Sequence, residues 1–224
     1  MVWCKSIEMK TALIAGASGL TGSYLLQLLL ENEKYHQVIA LLRKPLEWQH
    51  PSLQQIIYDY DHPDSEKVRA THVYCCLGTT MKKAGSKTAF RRVDHDYPLE
   101  LARMAHQNGT ERFALVSAVG ANSRSLFFYN RVKGQLEEDV QQIPFEASYI
   151  MRPSMLLGPR NERRLGEEVG KFAMKPFRFL LPSRAKPVHA SQVAACMMDR
   201  MNRGDQGVHI IPSGEMLQYP SIFN

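Results

Sequence analysis

No stretch of this chain comes near the run of about 20 apolar residues that a membrane-spanning helix needs. The longest such stretch, SYLLQLLL at 23–30, stops far short. The opening residues MVWCKSIEMK lack the apolar core and small-residue cleavage site of a secretory signal, which points to a cytoplasmic protein. Met9 is an equally good start, because strand-like sequence begins directly after it. Cysteine is scarce, occurring only at 4, 75, 76 and 196, and no pair has the C-x-x-C spacing of a zinc site. Adjacent Cys75 and Cys76 would face opposite sides of a strand, and the thiols read as buried groups in a reducing compartment, with no metal. No run of basic residues reaches five, although the formal charge is +6 and the pI about 9.2. That scatter argues against a nucleic-acid partner; attraction of a phosphorylated small molecule accounts for the charge. Internal repeats, linkers and low-complexity tracts are also missing, so the 224 residues are expected to form a single domain, 1–224.

What is present is an alternation of short apolar runs with helical stretches. Strands are expected at Lys10 to Ala15, Val38 to Leu42, Gln55 to Tyr58, His72 to Leu77, Phe113 to Ser117 and Ala147 to Met151. Helices are expected at Leu20 to Glu31, Ser86 to Gln107, stopped by Asn108-Gly109, and Phe127 to Gln141. Short apolar strands separated by helices specify an α/β fold, a doubly wound parallel sheet of the Rossmann kind covered on both faces. After Arg152 the texture changes to proline, basic residues and Met-rich apolar turns, so 153–186 is expected to form a small cap on the substrate side. Pro187 to His189, a helix over Ala190 to Met201 and a strand near Val208 to Ile211 return to the core.

Between the first strand and first helix lies GASGLTG. A chain that turns sharply, approaches a pyrophosphate and opens a helix toward that anion needs glycine at Gly16 and Gly19, and Gly22 lets helix and strand pack closely. Gly16, Ser18, Gly19, Leu20, Thr21 and Gly22 are therefore candidate cofactor contacts. An NAD site places an acidic residue at the end of the second strand to bond the adenosine ribose. Here the strand runs into Arg43 and Lys44, which suit a 2'-phosphate and favour NADPH. Asp59 after the third strand is placed to meet the adenine amino group, or is simply a turn residue. The fourth strand ends in CCLGTT, where Cys76, Leu77, Gly78 and Thr79 would pass close to the cofactor.

Tyr129 and Lys133 form the one Y-x-x-x-K match in the chain, a spacing that chance alone can produce among nine tyrosines. Context gives it meaning. Ser117 ends the fifth strand, and the carboxyl ends of strands line the ligand crevice of such a sheet. The following helix would bring Tyr129 and Lys133 to that crevice, one turn apart on one face. Carbonyl reduction needs a hydride from a nicotinamide and a proton for the developing alkoxide. Tyr129 would move the proton, Lys133 would favour its phenolate and hold the ribose, and Ser117 would bond the substrate oxygen.

These residues, together with CCLGTTMKKAG, FRRVDHDYPLELA, YNRVKG and RPSMLLGPRNERRLGE, resemble the atypical short-chain dehydrogenases/reductases, specifically the Tat-interacting-protein-like NAD(P)H-binding oxidoreductases, over about Thr11 to Gly170. The resemblance implies a Rossmann domain holding NADPH, with Ser117, Tyr129 and Lys133 at the superfamily's catalytic positions. It also implies that Pro153, Ser154 and Met155 line the nicotinamide. Asp94 stands where many relatives in the wider superfamily carry asparagine. Two functions stay open: an NADPH-dependent reductase of a small carbonyl or quinone, and an NADPH-binding redox sensor with little turnover that signals to a protein partner. A nucleotide-sugar epimerase would call for a larger carboxyl-terminal domain than the residues after Arg152 offer. The chain is expected as a monomer or homodimer.

Overall fold

The computed structural model describes residues 9–159 and 186–221. Their centre is one parallel sheet of seven strands. Its members in chain order are β1 (Lys10–Ala15), β2 (Tyr35–Leu42), β3 (Leu53–Ile57), β4 (His72–Cys75), β5 (Arg112–Val116), β6 (Ala147–Arg152) and β9 (Gly207–Pro212). The spatial order is β3-β2-β1-β4-β5-β6-β9, every pairing parallel. This is the doubly wound α/β arrangement expected. Two short strands, β7 (Leu156–Leu157) and β8 (Val188–His189), form a separate parallel pair. The expected cap falls largely on 160–185, outside the described residues.

The reason these strands read as continuous apolar runs is visible in β1. Side chains alternate across a strand, so Ala12 and Ile14 join a cluster with Leu25, Leu26, Leu29, Val193 and Met197. Leu13 and Ala15 join the opposite cluster with Leu101, Ala102, Leu136 and Val140. Helices α1 (Leu20–Leu30) and α6 (Ala190–Met201) thus cover one face, and α4 (Tyr97–Gln107) and α5 (Phe128–Gln141) the other. Burial on both faces leaves no position for a polar stripe.

The helix expected over Ser86 to Gln107 is continuous but not uniform. After the single-turn α2 (Met81–Ala84), Ser86 caps α3 (Lys87–Arg91), its hydroxyl accepting the Ala89 N–H at 3.1 Å. A π-helical turn, Arg92–Asp96, then leads into α4, with the Tyr97 N–H bonding the Arg92 carbonyl five residues back. Pro98 supplies the cause. It has no N–H for the Asp94 carbonyl and its ring crowds that turn, so the helix widens by one residue instead of breaking.

At the amino edge of the sheet, away from the glycine turn, the polar groups of His72, Tyr35, Tyr74 and Asn202 form one network. Tyr35 Oη lies 2.7 Å from His72 Nδ1, 2.6 Å from Tyr74 Oη and 2.9 Å from Asn202 Nδ2. Burial, with Lys10, Arg112 and Lys34 nearby, pulls the His72 pKa down to about 3. The unfolded chain therefore takes up a proton near the ordinary histidine pKa of 6.5 that the native state refuses until about 3. Stability contributed by neutral His72 is complete above pH 6.5 and falls as pH drops through the interval down to about 3. Denaturant titrations across this interval should show a His72-dependent slope of up to about 1.4 kcal/mol per pH unit, absent in His72→Gln.

Candidate nucleotide and proton-transfer site

The sheet order reverses between β1 and β4, and the glycine turn stands at that switch point. Gly16 has φ +86°, and a Cβ added there would lie 2.7 Å from the Cys76 carbonyl carbon and oxygen. A Cβ on Gly22 would lie 2.0 Å from the Gly16 carbonyl oxygen. Both glycines are thus required by backbone packing before any ligand arrives. Gly19 differs: its φ is ordinary, and an added Cβ would meet only the Gly16 oxygen at 3.2 Å. It caps α1 without a side-chain hydrogen bond, no acidic residue occupies the first turn, and Ser18 beside it is exposed. The first N–H groups of α1, from Leu20 and Thr21, have no intrahelical acceptor, the arrangement that suits an anion. Gly158 passes beside Leu20, an added Cβ lying 2.9 Å from Leu20 Cδ1.

The β4 end borders the same crevice. The Cys76 N–H bonds the Ala15 carbonyl at 2.8 Å, Leu77 is half-buried and Gly78 is exposed. Arg43 and Lys44 are exposed at the end of β2, and no ion pair holds them among the described residues. Asp59 makes the local bonds of a turn residue. It accepts the Asp61 N–H at 2.9 Å and lies 3.0 Å from His62 Nδ1, a contact that, with the Asp61 hydrogen bond, holds its pKa below the usual carboxylate value. Pro153 and Met155 lie beyond β6, where the Val119 N–H bonds the Pro153 carbonyl at 2.9 Å and the Val188 N–H bonds the Met155 carbonyl at 3.0 Å. Ser154 is tied down by both its N–H, to Ser213 Oγ at 3.1 Å, and its hydroxyl, to the Lys186 carbonyl at 2.5 Å.

Helix α5 carries Tyr129, Lys133 and Glu137 at four-residue intervals, one stripe along one face. Tyr129 is 38% exposed, its ring against Phe90 of α3 with centroids 5.6 Å apart. Lys133 is 3% exposed and pairs with Asp94 of the π turn, Nζ to Oδ1 2.9 Å. The other Asp94 oxygen accepts the Thr79 N–H at 2.7 Å. Ser117 directly follows β5, as expected, but its hydroxyl has a partner that the sequence reading did not name. Only 4% exposed, it donates its hydroxyl to Glu137, whose carboxylate also binds Arg152 through Nε (3.0 and 3.1 Å) and Nη2 (2.5 Å). The structure therefore brings Tyr129 and Lys133 onto one face and directs the Ser117 hydroxyl into a brace two turns down α5.

Glu137, Arg152 and the pairing of Asp94 were not part of the expected site. A signal existed for each: a carboxylate eight residues after Tyr129 falls on the same buried face, and a buried acid demands a cation. His95 belongs to the same joint, its Nδ1 2.8 Å from Asp96 Oδ1 and its Nε2 2.9 Å from Asp139 Oδ2 of α5.

A doubly wound parallel sheet, a glycine turn packed into its switch point, an open helix terminus and a tyrosine-lysine helix define a nucleotide-binding protein of the Rossmann class. The chain belongs to the NAD(P)H-binding family, whose model matches residues 16–171, within the atypical short-chain dehydrogenase/reductase-like group. It is 36% identical to rat protein HTATIP2 over 167 residues, 72% of this chain and 69% of that protein. It is 35% identical to the mitochondrial protein FMP52 of Candida glabrata over 162 residues, 71% of this chain and 70% of the relative. Among solved structures, MoeE5 in complex with UDP-glucose and NAD superimposes with a TM-score of 0.70, at 18% identity, over 93% of this chain and 80% of that one, a likeness of fold.

These relatives correct the expected location. Several fungal members are named as mitochondrial proteins, which contradicts the cytoplasmic reading. The reason is simple: the want of one targeting pattern in a stretch of sequence selects no compartment. No helix of the described residues is long and apolar enough to cross a membrane.

The glycine geometry makes a direct prediction. Gly22→Ala forces a methyl group against the Gly16 carbonyl, so the α1 terminus must shift from the crevice. The variant should lose at least about 1–3 kcal/mol of stability and bind NAD(P)H at least about tenfold more weakly, read by denaturant titration and calorimetry.

Proposed function

We propose that this protein is an NADPH-dependent oxidoreductase that reduces a small carbonyl compound or quinone, with Tyr129 as the acid/base. The observation that carries the reading is the Tyr129–Lys133 pair on α5, with Lys133 held as a buried ammonium beside the Gly78–Thr79 loop at the nucleotide crevice. NADPH, when bound, supplies the hydride.

The chain's own residues have distinct tasks. Gly16, Gly19 and the open N-terminus of α1 hold the pyrophosphate, while Arg43 and Lys44 receive the 2'-phosphate. Lys133 faces the ribose from beneath Gly78: a Cβ on Gly78 would stand 3.9 Å from its Nζ. Tyr129, half out in solvent and steadied by Phe90, gives its proton to the substrate oxygen and recovers it from water. Ser117 supports the end of β5 through Glu137 and leaves the substrate to Tyr129.

A redox-sensing role with little turnover is the second reading. It is favoured by one observation: the Ser117 hydroxyl is committed to Glu137 rather than held open toward Tyr129.

Two measurements test the proposal. With NADPH and a panel of aldehydes, ketones and quinones, Tyr129→Phe should lower kcat at least about 100-fold and leave cofactor affinity within about threefold. Ser117→Ala should cost stability more than kcat. Tight NADPH binding with no turnover on any compound selects the sensor. In a separate titration, replacing Arg43 and Lys44 together by alanine should weaken NADPH binding by about 10- to 100-fold and leave NADH binding nearly unchanged; equal losses for both cofactors exclude the 2'-phosphate role.

A further inference from the structure

Asp94 is 1% exposed, in a helix whose other carboxylates reach water, and both its oxygens are committed, one to Lys133 Nζ and one to the Thr79 N–H. The hydrogen bond to Thr79 asks only for an acceptor, which an amide would supply as well. The ammonium asks for a negative charge. Lys133 is 3% exposed, and an isolated cation so far from water would shed its proton. Burial does pull the Lys133 pKa down, but the Asp94 carboxylate, with smaller contributions from Tyr129 on its own helix and Cys75 on β4, more than offsets it and leaves the pKa above the ordinary value. The Cys75 thiol, pushed up to about 12 by its own burial, stays neutral, so Asp94 is the anion that matters at working pH.

We propose that Asp94 is the positioning residue of this site: its carboxylate, held on a proline-widened helical turn, keeps Lys133 charged and clamps it to the Gly78–Thr79 loop. The clamp joins the loop after β4 to the helix that carries Tyr129. Its position depends on the π turn, because the widening at Pro98 falls on the segment that contains Asp94. This rests on the reading of Tyr129 and Lys133 as the reactive pair.

NADPH binding by wild type, Asp94→Asn and Asp94→Glu, followed by fluorescence from about pH 6 to about pH 10, tests the clamp. Wild type should hold its affinity into the alkaline range. In Asp94→Asn affinity should fall about tenfold with a midpoint at least about one pH unit lower, the alkaline limb of kcat/KM moving with it, and Asp94→Glu should restore the wild-type profile. A profile for Asp94→Asn that superimposes on wild type overturns the proposal. Should Asp94→Asn fold poorly, Lys133→Met and the Asp94→Asn/Lys133→Met double variant decide: the pair requires the double variant to be more stable than either single one, and additive losses overturn it. Because binding and stability are read without turnover, a failure of the clamp is separate from a failure of Tyr129 as acid/base, which Tyr129→Phe alone reports.

Discussion

Contact of backbone with backbone at the switch point is the constraint from which the rest of the site follows. Gly16 turns with a positive φ against the carbonyl of Cys76, and Gly22 lies on the carbonyl of Gly16. Three chain segments, the end of β1, the start of α1 and the end of β4, are thereby packed with no side chain between them. This is why the opening of α1 points into the crevice between diverging crossovers, and why its N–H groups are available to a phosphate. A methyl group at either glycine moves the helix, and the candidate anion site moves with it.

The second organising element is the stripe on α5. Tyr129, Lys133 and Glu137 descend one face at one-turn intervals, passing from partial exposure to full burial. Their partners change accordingly: an aromatic ring for Tyr129, a buried carboxylate for Lys133, and an arginine with a serine hydroxyl for Glu137. Each buried charge meets its opposite, as the cost of an uncompensated ion requires. The lower end of the stripe fixes β5 and β6 to the helix, and the upper end, at Tyr129, is partly exposed. A helix braced in this way keeps Tyr129, the group proposed as acid/base, in register with the sheet.

Much of the fold could be read directly from residue order. The β1 boundaries, the helix over Ala190–Met201 and the stop after Gln107 agree with the expected ones, because continuous apolar runs, Gly and Asn stops and the glycine turn are local signals. β2 begins three residues earlier than expected, at Tyr35, because its amino end is held by the polar network with His72 and Tyr74, a contact between distant segments. The π turn is not legible from Pro98 alone, since a proline inside a helical pattern has several outcomes and packing selects among them.

The site divides along the same line. Gly16, Gly22, Tyr129 and Lys133 could be named from spacing and flanking pattern, because turn geometry and helical periodicity are properties of neighbours in the chain. The partners of Ser117 and Lys133 could not. Ser117 meets Glu137 across 20 positions and Lys133 meets Asp94 across 39, and pairings of that kind are set by which faces the sheet presses together. Residue order names the groups able to do chemistry; folding decides which of them satisfy one another, because a buried charge or hydroxyl takes whatever partner the packing brings within reach.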